Sequence, residues 1–299
     1  MKNYITLLIL ALLVARASQA QQIPLYNHYY ESPEIQNAAY MGADSVTKLL
    51  AMYRNQWIGI NGSPESQLIG ISGKIPSHNM GVGLLVTNDI FNINARTSIY
   101  FNTSFGVLLN ELHGLRFGLA IGLVQNRIDY SKIRNANLND PALLENSQRR
   151  SVFDGNFGVK YHYRDWVEVG FSALQMVSSN TVFVDQGADQ QSTFKNLRHF
   201  ILAGKVKLPV KILNTEVSAL GAFRSVQSLT TSWEVGGRAF WNDLFWTTIL
   251  YRNKIGVLGS FGICATEHLK FGYAYEAPVN GFGVVNTGGT HEISLQYSF

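Results

Sequence analysis

The residue types that carry catalytic and metal chemistry are present in this chain but never grouped. Seven histidines stand at 28, 78, 113, 162, 199, 268 and 291, and no two share the short spacings that bring two ligands to one metal ion. His291 and Glu292 are neighbours. On a strand, neighbours point to opposite faces, so this pair cannot act on one substrate. Asn135, Asn137, Asn139 and Asp140 have a faint calcium-loop look, but they lack the closing bidentate Glu and most of the charge. A turn-rich loop accounts for them better. No Ser, His and carboxylate set, and no carboxylate pair, can be assembled. The chain is therefore expected not to be an enzyme and to need no metal or cofactor. Cys264 is the only cysteine, which excludes an internal disulfide. In an exported chain, hydrogen bonds and packing must then hold the fold.

Composition narrows the class of element that positions these residues. Charged residues make up 15% of the chain, against about 25% in soluble proteins. Hydrophobic residues reach 46%, and glycines number 27 against 7 prolines. A sheet embedded in lipid has this profile, with apolar outward side chains and small residues where strands bend. Residues 1–20 read as a secretory signal peptide: basic Lys2, an apolar run from Ile5 to Val14, then Ser18 and Ala20 before Gln21. The run is too short to span a bilayer as a helix, and no cysteine follows it that could carry a lipid anchor. Its removal takes away Lys2 and Arg16, so the net charge of +4 becomes +2 (22 basic against 20 acidic). The high isoelectric point is thus no argument for a nucleic-acid partner.

The end of the chain is the most regular stretch. His291, Ile293, Leu295, Tyr297 and Phe299 fall on one face, and Glu292, Ser294, Gln296 and Ser298 on the other. Alternation of period two marks a strand with one apolar and one wet face. Such a strand, ending on an aromatic residue, fits the closing strand of a transmembrane barrel. The same alternation predicts about fourteen strands, over 48–57, 66–75, 80–88, 96–109, 114–126, 151–163, 165–175, 197–208, 213–224, 231–241, 244–252, 255–264, 267–277 and 289–299. Arg116, Lys160, His162, Lys205, Lys207, Glu234, Arg238 and Lys270 lie in mid-strand opposite apolar faces, so they must point into a polar lumen. Connections alternate between tight turns and longer loops, the longest at 127–150, 176–196 and 278–288. Short periplasmic turns and long external loops are typical of outer-membrane barrels, whereas a large soluble sandwich would not predict them. The expected fold is all-β: a closed antiparallel transmembrane barrel over 48–299 in the outer membrane, with both termini periplasmic.

Residues 21–47 do not read as a strand. They contain Pro24, Pro33 and the run Tyr26-Asn27-His28-Tyr29-Tyr30, and form either a plug, a lining of the periplasmic mouth or a loose arm. Trp57, Tyr163, Trp166, Trp241, Trp246 and Phe299 sit near strand ends, where an interfacial aromatic girdle is expected.

Several segments together resemble one family. Tyr26 to Gly42 is similar to the amino-terminal signature of the PorP/SprF type IX secretion membrane proteins. Tyr53, Arg54, Gln56 and Trp57 match that family's YR-x-QW, and Gly62-Ser63-Pro64 stands at its glycine-proline turn. Gly81, Gly83 and Asp89 resemble its GxGxxxxxD strand, Asp154 to Gly158 its D-x-x-x-G stretch, and His291-Glu292-Ile293 with terminal Phe299 its closing strand. Ala38 and Phe153 replace prolines of the family pattern. The resemblance implies a part in the secretion and gliding apparatus of Bacteroidetes. Its partners would be exported proteins with a carboxy-terminal sorting domain, for export or surface retention, and other components of that apparatus. The external loops carry scattered apolar anchors for such a partner at Ile133, Leu138, Leu143, Leu144, Phe183 and Phe194. The competing expectation is a transporter of the FadL or porin type, since fourteen strands with a plug is also that layout. The charged inward faces argue against a long-chain lipid as its solute.

Overall fold

In the computed structural model the residues described are 23–44, 46–75, 78–133, 147–177, 180–184, 191–212, 214–227, 231–279 and 287–299. They form sixteen strands: β1 (Lys48–Asn55), β2 (Glu65–Ile75), β3 (Met80–Phe91), β4 (Asn94–Leu108), β5 (His113–Asp129), β6 (Ser147–Tyr163), β7 (Val167–Leu174), β8 (Asn180–Val184), β9 (Gln191–Lys195), β10 (His199–Ile212), β11 (Thr215–Val226), β12 (Ser232–Trp241), β13 (Phe245–Arg252), β14 (Gly256–Cys264), β15 (Leu269–Pro278) and β16 (Thr290–Ser298). Fourteen of these close into one antiparallel barrel, while β8 and β9 pair separately. Closure is made by β1 on β16, in register from Lys48 opposite Ser298 to Asn55 opposite His291. Phe299 extends the seam by donating its N–H to Thr47 O at 2.9 Å. All fourteen predicted spanning strands are present.

The period-two pattern sorts side chains as the sequence indicated. On β13, Phe245, Thr247, Ile249 and Tyr251 are exposed on the outer surface, and Trp246, Thr248, Leu250 and Arg252 are buried in the lumen. On β16, Ile293, Leu295 and Tyr297 face out, and Glu292 and Ser294 face in. Trp246 corrects the expected girdle. It is 5% exposed and lies against Gly262 inside the barrel. Phe245 and Trp246 offer an aromatic ring to each face, and the phase of the strand selects Phe245 for the outside. Trp166, Trp241 and Phe299 do stand exposed at strand ends.

The strands differ from the prediction mainly in length, at the end that carries the long loops. β5 and β6 pair from His113 opposite Tyr163 up to Asp129 opposite Ser147. The expected loop 127–150 therefore shrinks to 130–146, beginning with a short 3-10 turn at Tyr130–Lys132. Likewise β3 and β4 meet around a tight turn at Phe91 opposite Asn94, where Asn92 has φ 54°. The predicted strands stop where apolar alternation stops. Backbone pairing continues past that point because the ladder needs no apolar face. Within the expected loop 176–196, β8 and β9 form a hairpin. At the opposite end, Asn242 and Asp243 turn with φ 49° and 54° within the three-residue connection from Trp241 to Phe245, and positive φ suits Asn and Asp.

Candidate functional site

The lumen is where this sheet departs from an empty pore. Residues 23–44 lie inside it, with Tyr26, Asn27, His28, Tyr29, Ser32, Glu34, Ala38, Ala39 and Met41 all buried. The segment is an internal plug, one of the readings that its sequence left open. It has almost no regular structure, only 3-10 turns at Pro33–Ile35 and Ala38–Tyr40. The barrel wall therefore fixes its path. Asn37 caps the second turn, its Oδ1 accepting from Ala39 N at 2.9 Å. The Asn37 amide nitrogen donates to Val159 O on β6 and Phe171 O on β7, each at 3.1 Å. Ala38 is the first residue of that turn, a position where a proline also fits because its N–H has no partner within the turn. Two small apolar clusters complete the seating: Tyr26 with Leu50, Met52 and Leu68, and Tyr30 beside Leu220, Leu250, Leu258 and Ala274.

Inward glycines let the plug approach the wall. A Cβ on Gly118 would overlap the backbone of Ala38 and Ala39, and one on Gly81 would overlap the Met41 carbonyl. Gly118→Val is therefore expected to lift residues 38–41 off β5, at a cost of at least about 1–3 kcal/mol. Faster amide exchange at 39–41 and higher ion conductance in planar bilayers would register this. Gly259→Val, whose Cβ meets nothing within 4 Å, should leave both unchanged. Equal behaviour of the two variants would refute the seating argument.

Buried charge ties the plug to the strands. Glu292 accepts from Asn27 N at 2.7 Å, from His28 N at 2.9 Å and from His28 Nδ1 at 2.9 Å. Arg54 lies 3.7 Å from Glu292 and 3.9 Å from Glu276. Arg252 donates to Glu234 at 2.6 Å, to Glu276 and to the side chain of Asn27. Arg224 reaches Glu234 at 3.0 Å and covers the Tyr29 ring at 4.8 Å. Three arginines thus meet three glutamates across strands, and the plug supplies mostly neutral donors. Tyr30 is one of them: burial pushes its hydroxyl up to about 12, so it stays protonated and donates to Glu234 at 3.0 Å. Glu31 adds a bidentate pair with Arg238 at 2.6 and 2.9 Å. Such pairs hold geometry well, and breaking one partner is far costlier than the pair is worth.

The structure brings three residues that the sequence had singled out, Arg54, Asp89 and Glu292, into one row of strand partners. Glu292, Arg54, Ser66, Asp89, Arg96, Asn126 and Arg150 are successive register partners across β16, β1, β2, β3, β4, β5 and β6. Three separate sequence motifs thus form one inward row. Arg54 also donates to Gln56 Oε1 at 2.7 Å, and Gln56 N donates to Pro64 O at 2.9 Å, which shapes the top of the first hairpin. Trp57 turns there with φ 58°. Tyr53 does not join them; it faces outward, 38% exposed. Asp154 pins the root of the segment after β7, accepting from Tyr100 OH at 2.7 Å and from Val177 N at 3.3 Å. Of the proposed partner-binding residues, Ile133 is exposed at the rim. Phe183 and Phe194 lie in the β8–β9 hairpin, opposite Ser192 and Thr181. Leu138, Leu143 and Leu144 lie outside the described residues.

Sequence reasoning placed Glu234 and Arg238 in the lumen but missed Arg224, Arg252 and His28. A charge on the inward phase of a strand was the available signal. Arg252 closes its strand, and the plug has no period, so the signal did not reach them. Among the described residues no cluster of His, Cys, Asp and Glu is arranged to hold a metal ion.

A fourteen-stranded closed sheet, apolar outside and filled inside by its own amino-terminal segment, defines an outer-membrane β-barrel with an internal plug. The chain belongs to the PorP/SprF family of type IX secretion system membrane proteins, which it matches over residues 18–297. Solved barrels share the fold. The Ralstonia pickettii toluene transporter TbuX superposes with a TM-score of 0.54 at 10% identity, over 90% of this chain and 93% of that one. The monoaromatic hydrocarbon channel CymD gives 0.53 at 11% identity, over 93% and 94%. No curated protein matches the chain in sequence.

Proposed function

We propose that this barrel serves type IX secretion by holding an exported protein with a carboxy-terminal sorting domain at its loop-bearing end, for surface retention or export. The observation that carries this reading is the filled lumen. Hydrogen bonds to the buried carboxylates of Glu292 and Glu234, with the Glu31–Arg238 pair, seat the plug across the pore, which leaves the rim as the surface offered to a macromolecule. In this reading the signal peptide 1–20 is removed, the short turns and both termini are periplasmic, and 130–146 and 175–198 face outward. An interface of standard size needs about 800 Å² per partner, which both rim segments together can supply. Ile133, Leu138, Leu143, Leu144, Phe183 and Phe194 are the apolar anchors. Other secretion components would meet the periplasmic end.

Replacing 134–146 and 178–195 with short Gly-Ser connections tests it. The barrel should still assemble, and the exported partner should be lost to the medium or fail to appear at the surface. Retention of the partner by the loop-less barrel would refute the reading. The transporter reading has one observation in its favour, a cavity of about 110 Å³ beside the plug, bordered by Asp89, Arg96, Tyr100, His199 and Arg224. Leu68, Leu85 and Ile201 share its wall with Asp89, Arg96 and Arg224, and these charged groups suit a wholly apolar solute poorly. Unchanged small-molecule uptake on plug displacement would dispose of it.

A further inference from the structure

Among the described residues, the barrel wall has a step at its loop-bearing rim, between β6 and β7. β6 pairs with β7 only from Phe157 opposite Ala173 to Tyr163 opposite Val167, yet it pairs with β5 up to Ser147. Next to the last β7 pairs the seam is closed by the following segment. Met176 N donates to Gly155 O at 2.9 Å, Gln175 N to Asn156 Oδ1 at 2.9 Å and Val177 N to Asp154 Oδ1 at 3.3 Å. Beyond it, no described strand joins that edge of β6. β8 passes close by but belongs to a sheet of its own with β9.

The direction of the free groups follows from one bond. Gly155 O points away from β5 to Met176, and residues two apart on a strand direct N–H and C=O to the same side. Phe153, Ser151 and Arg149 therefore present their backbone groups at the open edge. Arg149 O is met by the exposed Arg150 guanidinium at 3.0 Å.

The outward face tells where this edge lies. Leu123 and Phe153 are register partners, both more than half exposed, and above them come Gln125 with Ser151 and Arg127 with Arg149. The surface turns from apolar to polar at that step, which sets the free edge in water, where unpaired groups are tolerated and available. Among the described residues beside the edge, the exposed charges are basic. Arg149, Arg150 and Lys132 are exposed, while Asp129 is already paired with Arg127 at 3.0 Å.

We propose that the β6 edge over 149–153 is a docking strand, to which the exported partner adds an extended, acidic segment by main-chain pairing. This rests on the rim-binding reading above and gives it an address.

The test uses the native barrel with the exported protein that co-purifies with it. Ser151→Pro removes an N–H from the open edge and none from the β5 ladder, whereas Ser151→Ala keeps it. Arg149→Glu with Arg150→Glu reverses the charge. Recovery of partner should fall about tenfold for the proline and double-charge variants, which corresponds to about 1.4 kcal/mol. The alanine variant should bind as wild type, and amides 149–153 of the wild-type barrel should exchange more slowly with partner bound. Heat-modifiable migration checks folding; if the proline variant fails it, the charge variant and the exchange measurement decide. Full retention by a folded Ser151→Pro barrel, or unprotected amides in the complex, overturns the proposal. If the loop-replaced barrel loses the partner while these variants keep it, the edge proposal alone fails. If the loop-replaced barrel keeps the partner, the rim reading itself fails.

Discussion

Glu292→Ala is expected to unseat the plug while leaving the barrel closed. The carboxylate accepts three bonds from Asn27 and His28 and lies 3.7 Å from Arg54. Without it, two backbone N–H groups lose their acceptor and the buried Arg54 guanidinium keeps Glu276 as its one close counter-charge. Breaking a buried ion pair from one side costs about 3–5 kcal/mol, comparable with the whole stability of many domains. That loss falls on the plug rather than the wall, because the β1–β16 ladder does not depend on the side chain. Residues 23–31 should become accessible to amide exchange and protease, and single-channel conductance should appear in planar bilayers. Glu292→Gln keeps an acceptor for one of the three bonds and should give a smaller change. A Glu292→Ala barrel as closed and protected as wild type would mean that the glycine track and Asn37 seat the plug unaided.

Removal of the last strand, by ending the chain at Gly289, is expected to abolish the assembled barrel. β16 pairs on both sides, with β1 from Lys48 to Asn55 and with β15 from Leu269 to Glu276. Its loss exposes two edges within the bilayer, where each unsatisfied backbone group costs several kcal/mol. Membrane fractions should contain no heat-modifiable species. Phe299→Ser leaves the ladder whole and removes only the exposed ring that stacks edge-on against Tyr297 at 5.0 Å. It should reduce the assembled fraction without eliminating it. A truncated chain that still migrated as a folded barrel would show that β1 can close directly on β15.

The plug and the wall divide the burden of neutralising charge. Arg54, Arg224 and Arg252 are answered by Glu234, Glu276 and Glu292 within the wall itself. The plug therefore brings hydrogen-bond donors such as the Asn27 backbone and Tyr30, together with ion pairs at Glu31 and, at its end, Asp44. A plug held by mixed polar contacts can be exchanged for water at lower cost than one held by apolar packing alone. Glu292 and Gly118 variants should therefore differ. The first leaves buried donors without their acceptor and Arg54 with one carboxylate fewer, and the second only displaces backbone.

The sequence by itself determined the strands, their inward faces and the family. Each spanning strand writes its two faces in alternate residues because one side meets lipid and the other meets water or the plug. Tyr53 and Arg54, or Ile293 and Glu292, are legible without any partner. What lay beyond local alternation was decided by the tertiary structure. The plug has no period, and its path through Gly81, Gly118 and Asn37 exists only because the closed wall surrounds it. Arg54, Asp89 and Glu292 stand far apart in the chain and share a row only through the register of β16, β1, β2 and β3. The open edge of β6 was equally invisible, since β6 carries no mark of where β7 stops; pairing between strands is a relation of two segments, and a single alternating stretch specifies its faces but not its neighbour's length.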